Sequence, residues 1–202
     1  MEFILYYRGP LKADGSPKDK HKLREHFHYQ LLELWKRKPL LQIKDEALNP
    51  NPIDPSKRYK DDNLKHLAKM SQCPSFVKKI GGKLFVPLVN QELAWVAELD
   101  IMLLRPEDPG NIITKGGDID NRIKTLLDAL KIPDENQVNS TKDLCTIAEP
   151  LHCLLEDDAL VTRLAVSTNR LLEYTSNNSE VILLITVNTK RITGTMLNLG
   201  ID

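Results

Sequence analysis

Cysteine is scarce in this chain. The 202 residues include three, Cys73, Cys145 and Cys153, and no pair has the spacing Cys-x-x-Cys. An odd number of cysteines without that spacing argues against a disulfide framework and against a zinc site. We therefore expect buried or incidental thiols.

Long hydrophobic runs are also missing. No apolar stretch approaches the roughly 18 residues that span a membrane, and the first residues, Met-Glu-Phe-Ile-Leu-Tyr-Tyr, lack the basic start of a signal peptide. Hydrophobic and charged contents of 41% and 28% are typical of a soluble globular protein. The expectation is a cytoplasmic protein without membrane contact, long enough for one domain with a substantial core.

The chain has no net charge, since 28 Lys and Arg residues balance 28 Asp and Glu residues. The two signs are unevenly distributed, however. Residues 1–83 contain 18 basic and 10 acidic side chains, a balance of +8, whereas residues 84–202 contain 10 and 18, a balance of −8. This distribution is expected if carboxylates hold a metal and another surface holds phosphate. Attraction between the two halves explains it equally well.

The first half of the chain combines regular patterns with a long connection. Residues 2–8 are rich in β-forming types and predict a strand. Apolar side chains at four-residue steps predict a helix over 18–37, with Lys20, Arg24 and other basic residues on its remaining faces. Four prolines in 38–62 predict an irregular connection. The basic helix faces are candidate phosphate contacts, although such faces are more often merely solvated.

The second half is rich in strand patterns. Residues 93–105 place apolar side chains on one face, with Glu98 and Asp100 on the other, solvent-facing side. The apolar run 84–89 contains Pro87, which favours a sheet edge.

Two further predictions concern connections. Residues 160–174 and 180–192 mix β-branched and apolar residues around a turn-rich segment, which predicts a hairpin that closes the sheet. The polar stretch 134–142 predicts a long loop. Together these patterns predict an α+β fold, a mixed β-sheet with helices packed on one face.

Residues 116–131 form the most informative stretch. Two glycines precede Asp118 and Asp120, whose carboxylates suit a helix N-terminus. Apolar residues then recur at intervals of three and four, and Lys124 and Asp128 lie on a neighbouring polar face. Taken alone, this pattern is typical of a capped amphipathic surface helix.

A second acidic cluster, Glu156-Asp157-Asp158, follows about 30 residues later between two apolar runs. Asp118, Asp120 and Asp158 are candidates to converge on one divalent cation. Carboxylates without histidine or cysteine suit Mg²⁺, with Mn²⁺ possible, better than zinc. The sequence thus predicts a metal site where the strand before Pro106, the helix N-terminus and the 156–158 turn meet.

Both acidic blocks resemble one family. The patterns Asp118-x-Asp120-Asn121-x-x-Lys124, Asp128-Ala129-Leu130 and Asp157-Asp158-Ala159-x-Val161 are similar to those of the RusA-type Holliday junction resolvases, over roughly residues 93–190. This resemblance implies that Asp118, Asp120 and Asp158 are the metal-binding catalytic carboxylates and Lys124 the catalytic-site lysine. It assigns Asn121, Asp128 and Asp157 to supporting roles. The connection from residue 131 to 157 is longer than the family's, and Leu160 replaces a usually polar residue.

The function implied by the resemblance is metal-dependent, paired and symmetric cleavage of four-way DNA in recombination and repair. Paired cuts on strands related by a two-fold axis match a C2 homodimer. Candidate DNA contacts are Lys57, Arg58, Lys60, Lys115 and Arg122. The resemblance also divides the chain into a catalytic core over 93–192, a strand, helix and basic connection over 1–92, and a tail over 193–202.

Three other functions fit the same residues. One is a nuclease on the same core that acts on another branched or duplex DNA. Another is a branched-DNA-binding protein without catalysis. The last is a protein–protein adaptor whose acidic helix is only a capped surface element.

Overall fold

The computed structural model describes residues 1–38, 40–41, 43, 76–106, 119–141, 150–173, 180–194 and 198. The elements, in chain order, are β1 (Glu2–Pro10), α1 (Pro17–Trp35), β2 (Lys78–Ile80), β3 (Lys83–Val89), β4 (Trp95–Arg105), α2 (Ile119–Leu130), α3 (Glu135–Ser140), β5 (Leu151–Leu155), a 3₁₀ turn (Asp158–Leu160), β6 (Val161–Arg170) and β7 (Glu180–Arg191). The fold is α+β, with mixed sheets and few helices. None of the helices described is sufficiently long and apolar to traverse a lipid bilayer.

The larger sheet has four strands in the order β1-β7-β4-β6. Strand β7 is antiparallel to β1 and β4, whereas β6 is parallel to β4. The predicted hairpin of residues 160–174 and 180–192 is therefore wrong, because β4 lies between the two strands. Strand β4 buries every second side chain. Its backbone N–H and C=O groups pair with β7 on one side and with β6 on the other. The opposite face carries Glu98 and Asp100, as predicted.

The smaller sheet has three strands in the order β2-β3-β5, with β3 and β5 parallel. Pro87 lies in its central strand rather than at an edge. The strand tolerates proline there because β2 pairs only with residues 83–85 and ends before reaching it. On that side, no ladder hydrogen bond from β2 is lost at Pro87.

Helix α1 packs against β5, β1 and α2, and its N-terminus is well defined. Ser16 and Asp19 form a reciprocal capping box, and Pro17 occupies the first turn. The four-residue apolar pattern is buried as predicted, at Leu23, Phe27, Leu31 and Trp35. Because β1 pairs with β7 and α1 packs on α2, residues 1–38 belong to the same core as the second half.

Helix α2 buries the predicted stripe, including Ile123, Leu126 and Leu130, in the main hydrophobic core, where the helix packs against α1 and β5. The stretch predicted as a loop over 134–142 instead contains α3. Asp134 caps this helix by accepting a hydrogen bond from the Gln137 backbone N–H at 2.8 Å, and Val138 is buried. A single buried side chain and a cap thus fix a turn of helix that has no apolar periodicity.

Candidate functional site

The first two turns of α2 present a carboxylate and a lysine to solvent. Asp120 and Lys124 are both exposed and lie one turn apart. Asp120 Oδ1 accepts a hydrogen bond from the backbone N–H of Asn121 at 2.8 Å, so the carboxylate lies against the start of the helix. Asp118 lies outside the described residues, as do Lys57, Arg58, Lys60 and Lys115.

The opposite side of this turn is anchored to the segment that precedes α1. Arg122 Nη1 donates to the Leu11 carbonyl at 2.8 Å, and Thr125 Oγ1 donates to the Ala13 carbonyl at 3.0 Å. The backbone N–H of Gly15 donates to the same Thr125 oxygen at 3.1 Å. A Cβ atom at Gly15 would stand 2.5 Å from Thr125 Cγ2, so the close approach requires glycine.

Arg122, one of the predicted DNA contacts, is buried in this structure. Its side chain is 3% exposed and serves to attach α2 to the N-terminal segment. Burial lowers the pKa of its guanidinium, because removal from water penalises the charged form. Exposed Lys124 remains on the solvent side of the same helix.

Asp158 lies at the other end of α2. Its Oδ2 atom accepts a hydrogen bond from Lys131 Nζ at 2.8 Å, and the same ammonium lies 3.4 Å from Asp128 Oδ1. The 131–132 segment runs beside the end of β5, where the Ile132 N–H donates to the Leu155 carbonyl at 3.0 Å. That contact is what places the acidic turn after β5 beside Lys131.

Helix α1 completes the ionic cluster around the C-terminal end of α2. Lys20 Nζ donates to Asp128 Oδ2 at 2.7 Å. Arg24 is 2% exposed and donates to the carbonyls of Asp128 (2.8 Å) and Lys131 (3.1 Å). These carbonyls belong to the helix end, whose last C=O groups have no partner within the helix. Lys20 and Arg24 are thus structural rather than parts of a solvated basic face.

These contacts shift the acidity of the carboxylates. The hydrogen bond from Lys131 holds the pKa of Asp158 below its usual value. Burial raises the pKa of Asp128, but the ammonium groups of Lys20 and Lys131 outweigh burial and the pKa is lowered. Both carboxylates therefore carry their charge at neutral pH and have it balanced by lysine.

Asp120 and Asp158 lie near opposite ends of α2. Eight residues separate Asp120 from Asp128, about 12 Å along the helix axis, and the Asp158 oxygen lies within 6.2 Å of Asp128 Oδ1 (2.8 Å plus 3.4 Å). Two oxygens bound to one Mg²⁺ at 2.0–2.1 Å are at most about 4.2 Å apart. Within the described residues, no cluster of three or more His, Cys, Asp or Glu side chains is arranged to hold a metal.

The remaining acidic residues of the second block have local partners. Asp157 caps the 3₁₀ turn by accepting a hydrogen bond from the Ala159 N–H at 2.8 Å. Glu156 accepts a hydrogen bond from the Gln91 N–H at 2.9 Å and pairs with Lys78 at 2.9 Å. These contacts hold the turn between β5 and β6 in place.

Sequence reasoning missed the residues that organise this end of the helix. Lys131 follows Asp128 by three residues, so the i,i+3 spacing alone indicated this ion pair. The contacts of Lys20 and Arg24 cross more than 100 residues of sequence and had no local signal.

Comparison with family models, with curated proteins and with solved structures found no match to this chain. The family resemblance therefore rests on the two acidic motifs alone.

Proposed function

We propose that this chain is a metal-dependent endodeoxyribonuclease that resolves four-way DNA junctions by paired symmetric cleavage, as the RusA-type motifs imply. The observation that carries the proposal is the exposed pair Asp120 and Lys124 at the start of α2. Neither makes an ion pair with another described residue, so both are open to a ligand. By contrast, Asp128 and Asp158, farther along the motif, have their charges balanced by lysines.

The donor set fits a hard divalent cation, because Mg²⁺ is bound in proteins through one or two carboxylates with several waters retained. Asp118 and Asp120 would hold the ion. When bound, Mg²⁺ or Mn²⁺ supplies a water of lowered pKa and stabilises charge on the scissile phosphate. Lys124 contributes a point charge one turn away, which favours the phosphate and the departing oxygen electrostatically.

Asp158 joins this site in the proposal only from a second copy of the chain. Within one protomer it lies near the C-terminal end of α2, whereas Asp120 lies at the N-terminal end. A two-fold homodimer, already required for paired cuts, supplies the missing carboxylate if the acidic turn of one protomer meets the α2 start of the other. Release from Lys131 would accompany that contact.

Cleavage of a labelled mobile four-way junction tests the activity, with linear duplex and a forked DNA as competing substrates. We expect paired symmetric nicks with Mg²⁺, and at least a 100-fold loss in Asp120→Asn, in line with the loss of a charge that stabilises the transition state. Glu135→Gln removes an exposed carboxylate on α3 and is the matched control, with full activity expected.

Other outcomes assign the chain differently. Junction binding without any cut under Mg²⁺ and Mn²⁺ supports the non-catalytic branched-DNA-binding protein. Equal cleavage of forks or duplex supports a nuclease with another substrate. Absence of salt-dependent DNA affinity supports the adaptor. Alanine at Lys57, Arg58 and Lys60 would lower the salt slope of binding if that segment neutralises phosphates.

Co-expression of Asp120→Asn and Asp158→Asn chains tests the shared site. Half of the dimers are then mixed, and each mixed dimer has one site with both carboxylates intact, so single-strand nicking returns to about a quarter of the wild-type level. Sites built within one chain would stay inactive in every combination, and that result would exclude the shared site.

A further inference from the structure

The two edges of the larger sheet differ in how their backbones are covered. At the β1 edge, side chains of α1 take the place of a neighbouring strand. Gln30 accepts from the Tyr6 N–H at 2.9 Å and donates to the Tyr6 carbonyl at 2.7 Å, and His26 Nε2 lies 2.9 Å from the same carbonyl. At the β6 edge, no strand of the described ranges pairs with the outer side. A ten-residue edge that no described strand pairs is a template for another strand.

Strand β6 also leaves apolar side chains uncovered on the core face of the sheet. Leu164 and Val166 lie beside Leu99 and Ile101, which are fully buried. Yet Leu164 is 43% exposed and Val166 is 38% exposed. The apolar face of the sheet therefore extends from β4 onto β6, but the core that buries the β4 side chains leaves those of β6 partly exposed.

The sequence of β6 is suited to pair with itself. In an antiparallel pairing centred on Ala165, Leu164 of each copy stands opposite Val166 of the other, and both lie on the same face. The small Ala165 side chains meet at the axis. Arg163 stands opposite Ser167, so the two copies place no like charges opposite each other.

We propose that β6 pairs antiparallel with β6 of a second copy across a two-fold axis at Ala165. Two four-stranded sheets then join into one sheet of eight strands (4 + 4). The contact is isologous, as a C2 dimer requires, and it satisfies the backbone groups of the open edge while covering Leu164 and Val166.

The same pairing places the acidic turn where the proposed function needs it, and this consequence rests on that function. Because β6 is parallel to β4, Asp158 lies at the end of the sheet where both strands begin. Strands β4 and β1 both end at the opposite end of the sheet, where Leu104 pairs with Ile182 and Pro10 with Glu180. The first turn of α2 is attached there, since Arg122 donates to the Leu11 carbonyl. Antiparallel pairing sets the start of one β6 beside the end of the other. Asp158 of one copy thus lies at the end of the sheet where α2 of the second copy begins.

Crosslinking of Ala165→Cys tests the axis directly. The variant is made in a Cys73→Ser, Cys145→Ser background, which leaves only buried Cys153, and is treated with a short bis-maleimide without DNA or metal. We expect a covalent dimer, because paired Cβ atoms across an antiparallel ladder are about 5 Å apart. Met102→Cys on β4 is the matched control. Met102 is 39% exposed, and the pairing holds the two copies of this residue too far apart for a short linker.

Lysine substitutions on β6 test the surface independently. Leu164→Lys with Val166→Lys should weaken the dimer at least tenfold, measured by sedimentation against the 23.0 kDa monomer, while Met102→Lys leaves it unchanged. An unweakened dimer, or one without Ala165→Cys crosslinks, would place the interface elsewhere, and a wild-type monomer at all concentrations would remove it. A crosslinked dimer that cuts no DNA would uphold the interface and refute the proposed function.

Discussion

Helix α2 begins in solvent and ends in an ionic cluster. At its first turn, Asp120 accepts a hydrogen bond only from the backbone N–H of the next residue, among the hydrogen bonds of the described ranges. Lys124, one turn later, is exposed to solvent. At its last turn, Lys131 joins Asp128 and Asp158, and the buried Arg24 satisfies two helix-end carbonyls. Two stretches of one motif, on one helix, thus have opposite surroundings.

The difference separates structural acids from acids that are open to a ligand. A carboxylate whose charge a lysine already balances must lose that lysine before it binds a cation, at a cost in free energy. A carboxylate at an open helix start has no such competitor. For this reason we expect a cation to bind at Asp120, whereas Asp158 must first separate from Lys131.

Removal of Arg24 should have the largest effect on stability. Arg24→Met keeps the buried stem but leaves the carbonyls of Asp128 and Lys131 without this donor, and we expect the free energy of unfolding to fall by about 2–3 kcal/mol. Urea denaturation measures it. Lys124→Met, at the exposed end, should change it by less than about 0.5 kcal/mol. Equal losses in both variants would show that the two helix ends are held alike.

Acid should weaken the same region through a buried histidine. Burial, with smaller contributions from Arg24 and Lys83, lowers the pKa of His21 to about 4, against an ordinary value near 6.5. The unfolded chain therefore binds a proton between pH 6.5 and pH 4 that the folded chain does not, so stability falls as the pH is lowered through that window.

We expect a loss of about 1–2 kcal/mol between pH 7.5 and pH 5. Denaturation at the two pH values checks this, with His21→Gln as the variant that should lose much of the dependence. His28 is also buried with a lowered pKa, so some dependence should remain in that variant. An unchanged pH slope in His21→Gln would show that His21 is not responsible.

Lys131→Met should loosen the ionic cluster without unfolding the chain. Asp158 is 45% exposed at its side chain, so solvent screens the pair and the stability loss should stay below about 1 kcal/mol. The pKa of Asp158 should rise towards its ordinary value, because the hydrogen bond from Lys131 is the main cause of its depression. An NMR titration of the Asp158 carboxyl group measures this rise, and an unmoved pKa would contradict the assignment.

Asp120→Asn should have the smallest effect on folding. The amide keeps an oxygen that can accept the Asn121 N–H, so we expect a stability change within about 0.5 kcal/mol. Thermal unfolding beside the cleavage assay separates the two roles. A marked loss of stability would show that Asp120 is structural, and the loss of cleavage would then carry no information about metal binding.

Local patterns predicted much of the fold. The alternation in β4 and the four-residue steps in α1 identified the buried faces correctly, because periodicity is a property of consecutive residues. The order of strands was not predictable in this way. The strands β6 and β7 follow each other in sequence and resemble a hairpin, yet β4 lies between them. Strand pairing depends on contacts between distant parts of the chain, which a local pattern does not contain.

In the candidate site, too, local spacing was predictable and long-range contacts were not. The motif fixed Asp120 and Lys124 one turn apart, which any helix over these residues must do. The position of Asp158 beside Lys131 was not predictable from the motif, because it depends on the contact of residues 131–132 with the end of β5. The burial of Arg122 was not predictable either, because no local pattern distinguishes a solvated arginine from one that bonds to the Leu11 carbonyl.

The sequence by itself determined the α+β character, the amphipathic helices and the spacing of acids and lysine at the start of α2, since each follows from neighbouring residues. The tertiary structure alone decided that β4 lies at the sheet centre, that Arg24 and Lys20 hold the end of α2, and that Asp158 lies apart from Asp120. These features join residues far apart in the chain, and such contacts form only where the packing of the whole core brings them together.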